Sequence, residues 1–214
     1  MASIRSGEHP DERPGPGEEL SSGPPVEPRQ AASVIVLRDA AAGPEVLLVR
    51  RNPSSRFMGG VWVFPGGAVD DGERGAEAHR TAALRELQEE ASLTLDGPDR
   101  LVGFSRWITP AQVSIRFDTW FFLARLPQGQ EPSIDGSECV DIGWFAPSAA
   151  LAAHRSGELA LVFPTIKHLE QLHGFATVAE LLDYASAREV VPVEPRVLLE
   201  GEVARIVLPG EPGY

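Results

Sequence analysis

Residues 85–93, RELQEEASL, carry three glutamates at the helical spacings i, i+3 and i+4, namely Glu86, Glu89 and Glu90. Side chains at these spacings lie on one face of a helix, where like charges lower the stability of an isolated helix by roughly a few tenths of a kcal/mol per pair. A solvated acidic face would be expected to include compensating lysines, and this stretch has none. The crowding therefore indicates a functional site.

The glutamates fall in a predicted helix over residues 76–91, which follows a short predicted strand at residues 61–64 and the turn PGG at residues 65–67. At about 100° per residue, one side of this helix carries a stripe formed by Arg80, Leu84, Leu87 and Ala91. The three glutamates lie away from that stripe. We therefore expect the stripe to dock on a β-sheet while the carboxylates point into a shared space.

The rest of the chain interleaves strand-like and helical segments. Apolar runs rich in β-branched and aromatic residues predict strands at SVIVLRD, EVLLVRR, RLVGFSRWI, RFDTWFFLARL and CVDIGWF. Helices are predicted at PSAALAAHRSG, PTIKHLEQLHG and TVAELLDYA, and RVLLEGEVARIVLPGEPGY suggests a terminal hairpin. Because strict β-α-β alternation is missing, the expected fold class is α/β with a mixed sheet and helices on its faces.

Composition limits the classes of function. The chain of 214 residues has a formal net charge of −12, which argues against a nucleic-acid backbone or an anionic membrane as the main partner. The single cysteine, Cys139, excludes an intramolecular disulfide and fits a reducing compartment. With neither a signal-peptide pattern nor an apolar run long enough to span a membrane, the sequence predicts a cytoplasmic protein.

Three regions are expected along the chain. Residues 1–30 are rich in proline, glycine and glutamate with almost no large apolar side chain, and we expect them to form a disordered tail. Residues 31–147 are expected to form the core. Residues 148–214 are expected to form a helical C-terminal region and terminal hairpin that pack on this core.

The stretch GGAVDDGE…RELQEEASL resembles the signature of the Nudix hydrolases, a loop and helix of pattern G-x5-E-x7-R-E-U-x-E-E-x-G-U, with U aliphatic. Gly67 and Glu73 match its first half. The second half is matched by Arg85, Glu86, Leu87, Glu89, Glu90 and Leu93. The resemblance implies a Nudix-type α/β/α sandwich, with residues 31–147 as the Nudix core and a helical C-terminal extension.

The chain departs from this signature at two places. Eleven residues instead of seven separate Glu73 from Arg85, and Glu77, which lies at the family's spacing, has no correctly placed glycine before it. The four additional residues therefore lie either before or after the first glutamate. Ser92 stands where the family has glycine, which removes easy access to the left-handed backbone conformation at the helix end.

In Nudix hydrolases the glutamates of this helix bind divalent cations. A hard cation such as Mg²⁺ or Mn²⁺ takes oxygen ligands and cancels the repulsion among crowded carboxylates. The resemblance thus implies Glu86, Glu89 and Glu90 as metal ligands, with the backbone carbonyl of Gly67 completing the shell. It also implies catalytic roles for Glu86 and Glu90, and a role for Arg85 in orienting a glutamate.

Residues for substrate binding are expected outside the signature. LLVRRNPSSRFMGGVWVFPGG partly matches a motif of Nudix coenzyme A diphosphatases, and RWITP and LPGEPGY look like the branch with an enlarged signature. This resemblance implies coenzyme A or acyl-coenzyme A as substrate, with Arg51 and Arg56 at its phosphates; the alternative is that both are solvated charges. One tryptophan can stack on adenine, and Trp107 of RWITP is the candidate.

Several alternatives stay open at this point. The loop PQGQEPSIDGSE offers Glu131, Asp135 and Glu138 as catalytic base, of which Glu138 is favoured, and Glu86 is the alternative. Other small molecules with a nucleotide-linked diphosphate, namely ADP-ribose, NADH and nucleotide sugars, are the rival substrates. A non-catalytic Nudix-like domain that senses a nucleotide is the alternative outside the enzymes. A homodimer is compatible with the family, in which dimers are frequent.

Overall fold

The computed structural model describes residues 20–214 except residues 22, 56, 74, 76, 135, 201 and 202. Most of the expected disordered tail, residues 1–19 and 22, therefore lies outside the described residues. The first strand begins at Arg29, close to the boundary that the composition suggests.

A mixed β-sheet forms the centre of the molecule. Its strands are β1 (Arg29–Ala40), β2 (Gly43–Arg51), β3 (Trp62–Val63), β4 (Gly66–Ala68), β5 (Val102–Ile108), β6 (Phe117–Arg125), β7 (Cys139–Phe145) and β8 (Pro192–Val193). The strand order is β3-β2-β1-β6-β5-β8, while β4 pairs with β1 and β7 pairs with β2. Strand β1 is antiparallel to β2 and parallel to β6, which makes the sheet mixed, as predicted.

Four α-helices, a short 3₁₀ helix (Pro98–Arg100) and a hairpin complete the regular structure of the described residues. The helices are α1 (Ala78–Ala91), α2 (Pro147–Ser156), α3 (Phe163–Leu172) and α4 (Val178–Ser186), and β9 (Arg196–Glu200) pairs antiparallel with β10 (Val203–Val207) as the expected terminal hairpin. Sequence analysis missed β4 and β8, because strands of three and two residues are too short to show an alternating pattern. It also predicted a strand of four residues at 61–64, where β3 has two. Within the described residues, no helix has both the length and the apolar character needed to cross a membrane.

Successive residues of β1 face opposite sides of the sheet, and each side is covered by helices. Val34 belongs to one buried cluster with Ala83 and Leu87 of α1. Ile35 belongs to a second cluster, whose helical members come from α2, α3 and α4 and include Leu151, Ile166, Leu169, Leu172, Val178 and Leu181. The arrangement confirms the α/β/α sandwich, although the boundary at residue 147 between core and C-terminal region stays a prediction.

The buried side of α1 differs from the stripe expected from the helical wheel. Its buried residues are Ala78, Ala82, Ala83, Leu87, Glu90 and Ala91, whereas Arg80 and Leu84 lie at the margin. Glu90 was expected to lie away from the docking side, and this expectation was wrong. Its carboxylate enters the packed layer because the facing strand, β4, has glycines and offers a polar backbone group.

The strand registers bring three chain segments to one end of the sheet. Gly66 and Gly67 of β4 lie opposite Ser33 and Ala32 of β1. At the end of β2, after an irregularity in the pairing, Arg51 lies opposite the first residue of β7. The C-terminal half of α1 packs over this same end, so Glu86 and Glu90 face β4.

Helix α1 ends at Ser92 in a left-handed conformation. Ser92 has φ 54° and ψ 29°, and its backbone N–H donates to the carbonyl of Gln88 at 3.1 Å. Serine thus adopts the conformation that glycine provides at lower cost in other members with the signature. The helix keeps its terminal hydrogen bond, so the substitution at this position preserves the geometry.

We expect Ser92→Gly to raise the free energy of unfolding by about 0.5–1 kcal/mol, since a side chain in the left-handed region costs more than the added entropy of glycine in the unfolded chain. Urea unfolding of the two proteins measures the difference. Ser92→Ala keeps a Cβ at this position and serves as the control. Equal unfolding free energies for Ser92→Gly and Ser92→Ala would contradict the interpretation.

Candidate active site

Glu90 is the most deeply buried of the three signature glutamates, with a relative exposure of 4%. Its Oε2 accepts a hydrogen bond from the backbone N–H of Gly66 at 2.9 Å. Its Oε1 lies 3.6 Å from Sγ of Cys139, which donates its thiol proton, and 3.9 Å from Nη1 of Arg51. Burial raises the pKa of Glu90 to about 7, and the nearby charge of Glu86 acts in the same direction, against the Gly66 amide.

Glu86 lies directly against the backbone of β4. A Cβ added at Gly67 would overlap its carboxylate, whose Cδ is 2.5 Å from the Cβ position. Burial also raises the pKa of Glu86, and the neighbouring guanidinium of Arg85 opposes this shift. Glycine at this position therefore lets the helix and the strand approach closely enough for the carboxylate to sit between them.

Arg85 links the acidic residues of the loop and the helix. Its guanidinium donates to Oε1 of Glu73 at 3.0 Å, to Oε1 of Glu86 at 2.7 Å and to Oε2 of Glu89 at 3.1 Å. It also donates to the backbone carbonyl of Ala68 in β4 at 2.9 Å. The hydrogen bonds that Arg85 donates to Glu73 and Glu86 raise its pKa, the bond to Glu73 having the larger effect. The geometry is compatible with the orienting role that the resemblance implies for Arg85, and this role stays a prediction.

The pairing of Arg85 with Glu73 shows on which side of the first signature glutamate the four additional residues lie. Burial raises the pKa of Glu73, but hydrogen bonds from Arg85 and Asp70 outweigh burial and hold the pKa below its ordinary value. Glu77, in contrast, is 64% exposed at its side chain, and its ion-pair partner among the described residues is Arg80, at 3.5 Å. Glu73 is therefore the first glutamate of the signature, and the additional residues follow it without changing the register of α1.

Glu89 stands apart from the other two. Its side chain is 53% exposed and is held at the rim by Arg85. In the described part of the chain, no group of three or more acidic, histidine or cysteine side chains is arranged to hold a metal ion. Glu86, Glu90 and Gly67 nevertheless line the same cavity, and the Gly67 carbonyl as a ligand stays a prediction. Glu89 as a third ligand stays a prediction.

A cavity of about 390 Å³ opens beside these carboxylates. Glu86, Glu90, Glu138 and Arg51 line its polar end. Its other walls are largely apolar and include Phe57, Met58, Phe64, Ile115, Phe117 and Phe121. A volume in this range fits a small organic ligand, and the polar end can bind a charged part while the apolar walls bind a ring or chain.

The remaining predicted site residues have three outcomes. Arg51 and Glu138 line the cavity together with Glu86 and Glu90. Arg56 and the loop residue Asp135 lie outside the described residues. Trp107 is not among the described residues that line this cavity: it is 5% exposed, it packs against Phe163 and His168 in the core, and it borders a separate cavity of about 60 Å³.

Sequence analysis also missed some of the residues that line the cavity. Phe57 and Phe117 meet there with ring centroids 5.7 Å apart, and Arg29 lies at the start of β1 on the same wall. Phe117 looked like an ordinary strand residue. The signal that could have identified it is its alternation with Thr119 and Phe121, because residues at a spacing of two share one face of a strand.

The comparisons with known proteins agree with this geometry. The NUDIX domain model matches residues 27–163, and the chain belongs to the Nudix hydrolase family. The resemblance of the signature is thereby confirmed.

Among individual proteins, the chain is 30% identical to nudix hydrolase 7 of Caenorhabditis elegans over 182 residues, which cover 67% of this chain and 60% of that protein. It is 31% identical to the acyl-coenzyme A diphosphatase NUDT19 of Homo sapiens over 119 residues, 53% of this chain and 32% of that protein. The chain thus spans less than two thirds of both relatives. A crystal structure of a Nudix hydrolase from Alicyclobacillus acidocaldarius has a TM-score of 0.68 at 27% identity, covering 76% of this chain and 99% of that one.

The two glycines of β4 should respond differently to alanine. In Gly66→Ala the new Cβ would lie 2.5 Å from the backbone oxygen of Ala32 and 2.7 Å from Cα of Ser33, so strands must separate and stability should fall by about 1–3 kcal/mol. In Gly67→Ala the overlap is with the mobile end of Glu86, so stability should change less while the carboxylate moves away. Urea unfolding and calorimetric titration with Mn²⁺ measure the two effects. Wild-type Mn²⁺ affinity in Gly67→Ala would contradict this account.

The raised pKa of Glu90 makes stability depend on pH in the metal-free protein. Between pH 4.5 and about 7 the carboxyl ionises in the unfolded chain but stays protonated in the fold, so the contribution of Glu90 to wild-type stability falls as pH rises through this window. Glu90→Gln does not titrate and can still accept from Gly66. Its stability relative to wild type should therefore rise by about 3 kcal/mol across the window and then level off. Urea unfolding at several pH values with a chelator tests this, and a constant difference would refute it.

Proposed function

We propose that this protein is a metal-dependent hydrolase that cleaves the diphosphate of a nucleoside diphosphate linked to another moiety. The observation that carries the proposal is a pair of carboxylates, the buried Glu90 and the partly buried Glu86, held against a glycine strand at the polar end of a cavity. Family membership supports the same reaction class, because Nudix hydrolases act on pyrophosphate bonds.

The donor set fits Mg²⁺ or Mn²⁺. Nudix enzymes generally use divalent metal ions, and carboxylate and carbonyl oxygens are the ligands that these hard cations prefer. Glu86 and Glu90 would hold the ion together with the Gly67 carbonyl, and Glu89 would join from the rim. When bound, such an ion neutralises phosphate charge and lowers the pKa of a water molecule.

The side chains of the chain itself supply binding, orientation and proton transfer. Arg51 borders Glu90, and its Nε is buried without a hydrogen-bond partner among the described residues, so a phosphate oxygen of the substrate can take that place. Arg85 fixes the carboxylates of Glu73, Glu86 and Glu89 by hydrogen bonds and acts as a positioning residue.

Glu138 is the proposed catalytic base. It is exposed at the mouth of the cavity, where its charge acts on Glu86, and it can accept a proton from an attacking water. Its backbone carbonyl accepts a hydrogen bond from the N–H of Asn52 at 2.8 Å, which fixes the loop end next to the site. Glu86 is the alternative base, because its carboxylate borders the same space.

Coenzyme A or acyl-coenzyme A is the proposed substrate, cleaved to a 4′-phosphopantetheine product and adenosine 3′,5′-bisphosphate. The likeness to an acyl-coenzyme A diphosphatase over 119 residues supports this choice, and so does the apolar wall that continues from the polar end. ADP-ribose, NADH and nucleotide sugars are the rival substrates. The cytoplasm is the proposed location, since the single cysteine fits a reducing compartment.

A substrate panel tests the proposal. Wild type and Glu90→Gln are incubated with coenzyme A, ADP-ribose, NADH and a nucleotide sugar in the presence of Mg²⁺ or Mn²⁺, and phosphate-containing products are separated by chromatography. We expect wild type to cleave coenzyme A and Glu90→Gln to lose most of this activity. Turnover of ADP-ribose without turnover of coenzyme A would overturn the substrate, and binding without any turnover would favour a nucleotide sensor.

The same substrate panel also identifies the catalytic base. Glu138→Gln should lower kcat by about 10²–10⁴, the range for loss of a general base, with little change in stability. Glu131→Gln changes an exposed carboxylate of the same loop that is not among the described cavity residues, and it should keep the wild-type rate. Equal rates for the two variants would transfer the role to Glu86.

A further inference from the structure

Arg29 lies in the cavity but has no part in the function proposed above. The parallel register of β1 and β6 places Arg29 beside Phe117, Ala31 beside Thr119 and Ser33 beside Phe121. These six residues all line the cavity. Because every second residue shares a face, the Arg29 side chain stands on the same wall as the aromatic rings of β6.

Within the described part of the chain, the charge of Arg29 has no opposite charge paired with it. The other arginines at this end of the sheet have partners: Arg106 pairs with Asp118 at 2.6 Å, and Arg116 pairs with Glu194 at 2.8 Å. Among the described residues, the guanidinium of Arg29 has neither an ion pair nor a side-chain hydrogen bond. A free cation on the wall of a cavity in a protein of net charge −12 is available to an anionic ligand group.

Arg29 lies three strand residues away from the carboxylate end of the cavity. Gly67, next to Glu86, lies opposite Ala32, and three residues of extended strand from Ala32 to Arg29 span about 10 Å. Between these points the floor consists of small residues, while Phe117 and its neighbour Phe57 form an apolar wall. A base can stack on these rings while a diphosphate lies at the polar end.

The geometry points to Arg29 as the residue that selects a nucleotide carrying a second phosphate on its ribose. Resting on the proposed function, this inference assigns the 3′-phosphate of coenzyme A to Arg29 and the diphosphate to the carboxylate end with Arg51. The two phosphate groups are separated by one ribose, and the flexible stem of arginine spans the gap between strand and ligand. Arginine binds phosphate with two parallel hydrogen bonds, which makes it selective for this group.

The test compares coenzyme A with dephospho-coenzyme A, which lacks only the 3′-phosphate. Wild type should prefer coenzyme A in kcat/KM by about tenfold to a hundredfold, the effect of a charge-assisted hydrogen-bond pair. Arg29→Gln should bring the ratio close to one, and Arg29→Lys should restore part of it. Arg100→Gln removes the same charge at an exposed position paired with Asp96, and it should keep the wild-type ratio.

A binding measurement separates this inference from the proposed reaction. Calorimetry with adenosine 3′,5′-bisphosphate, adenosine 5′-monophosphate and inorganic phosphate requires no turnover. Tighter binding of the bisphosphate by wild type, lost in Arg29→Gln, would support the inference even if coenzyme A were not cleaved. An equal preference in wild type and Arg29→Gln, or no preference in wild type, would overturn it. Thermal unfolding of each variant checks that the fold is intact.

Discussion

The site depends on the close approach of a glycine strand to a helix that carries acidic side chains. At Gly66 the strand offers a backbone N–H to Glu90, and at Gly67 it leaves room for the carboxylate of Glu86. Any larger residue at these positions would force either the strands of the sheet or the glutamate aside. The same contact between α1 and β4 therefore packs the helix on the sheet and forms the polar end of the cavity.

The close contact between α1 and β4 places the carboxylates of Glu86 and Glu90 where few polar groups can solvate their negative charge. Burial raises the pKa of both Glu86 and Glu90, and Arg51 approaches Glu90 no closer than 3.9 Å. A carboxylate buried with few partners is destabilising for the fold, and such perturbed groups concentrate at functional sites. Arg85 counters part of the repulsion by holding the loop and helix glutamates, so the cluster stays organised without a ligand.

Particular residues show how far sequence reasoning reached. The spacing of Glu86, Glu89 and Glu90 predicted a helix with grouped carboxylates, and the turn before it located the strand they face. The helical wheel wrongly placed Glu90 away from the buried side of α1. Helical periodicity alone does not indicate which polar side chain accepts a hydrogen bond from the backbone of a facing strand. Trp107 was chosen as a stacking residue by chemistry, yet it packs in the core, whereas Phe57 and Phe117 form the aromatic part of the wall.

By itself the sequence determined the family, the mixed sheet between helices and the identity of the acidic helix, because these follow from local spacing, periodicity and turn residues. Only the tertiary structure decided that Glu73 is the partner of Arg85, that Glu89 stays at the rim, and that Arg29 shares a cavity wall with Phe117. The third relation joins residues far apart in the chain, and the first two depend on how the loop and α1 pack on β4. They are set by strand register and by which side chains fit between the packed layers, and local sequence determines neither of these.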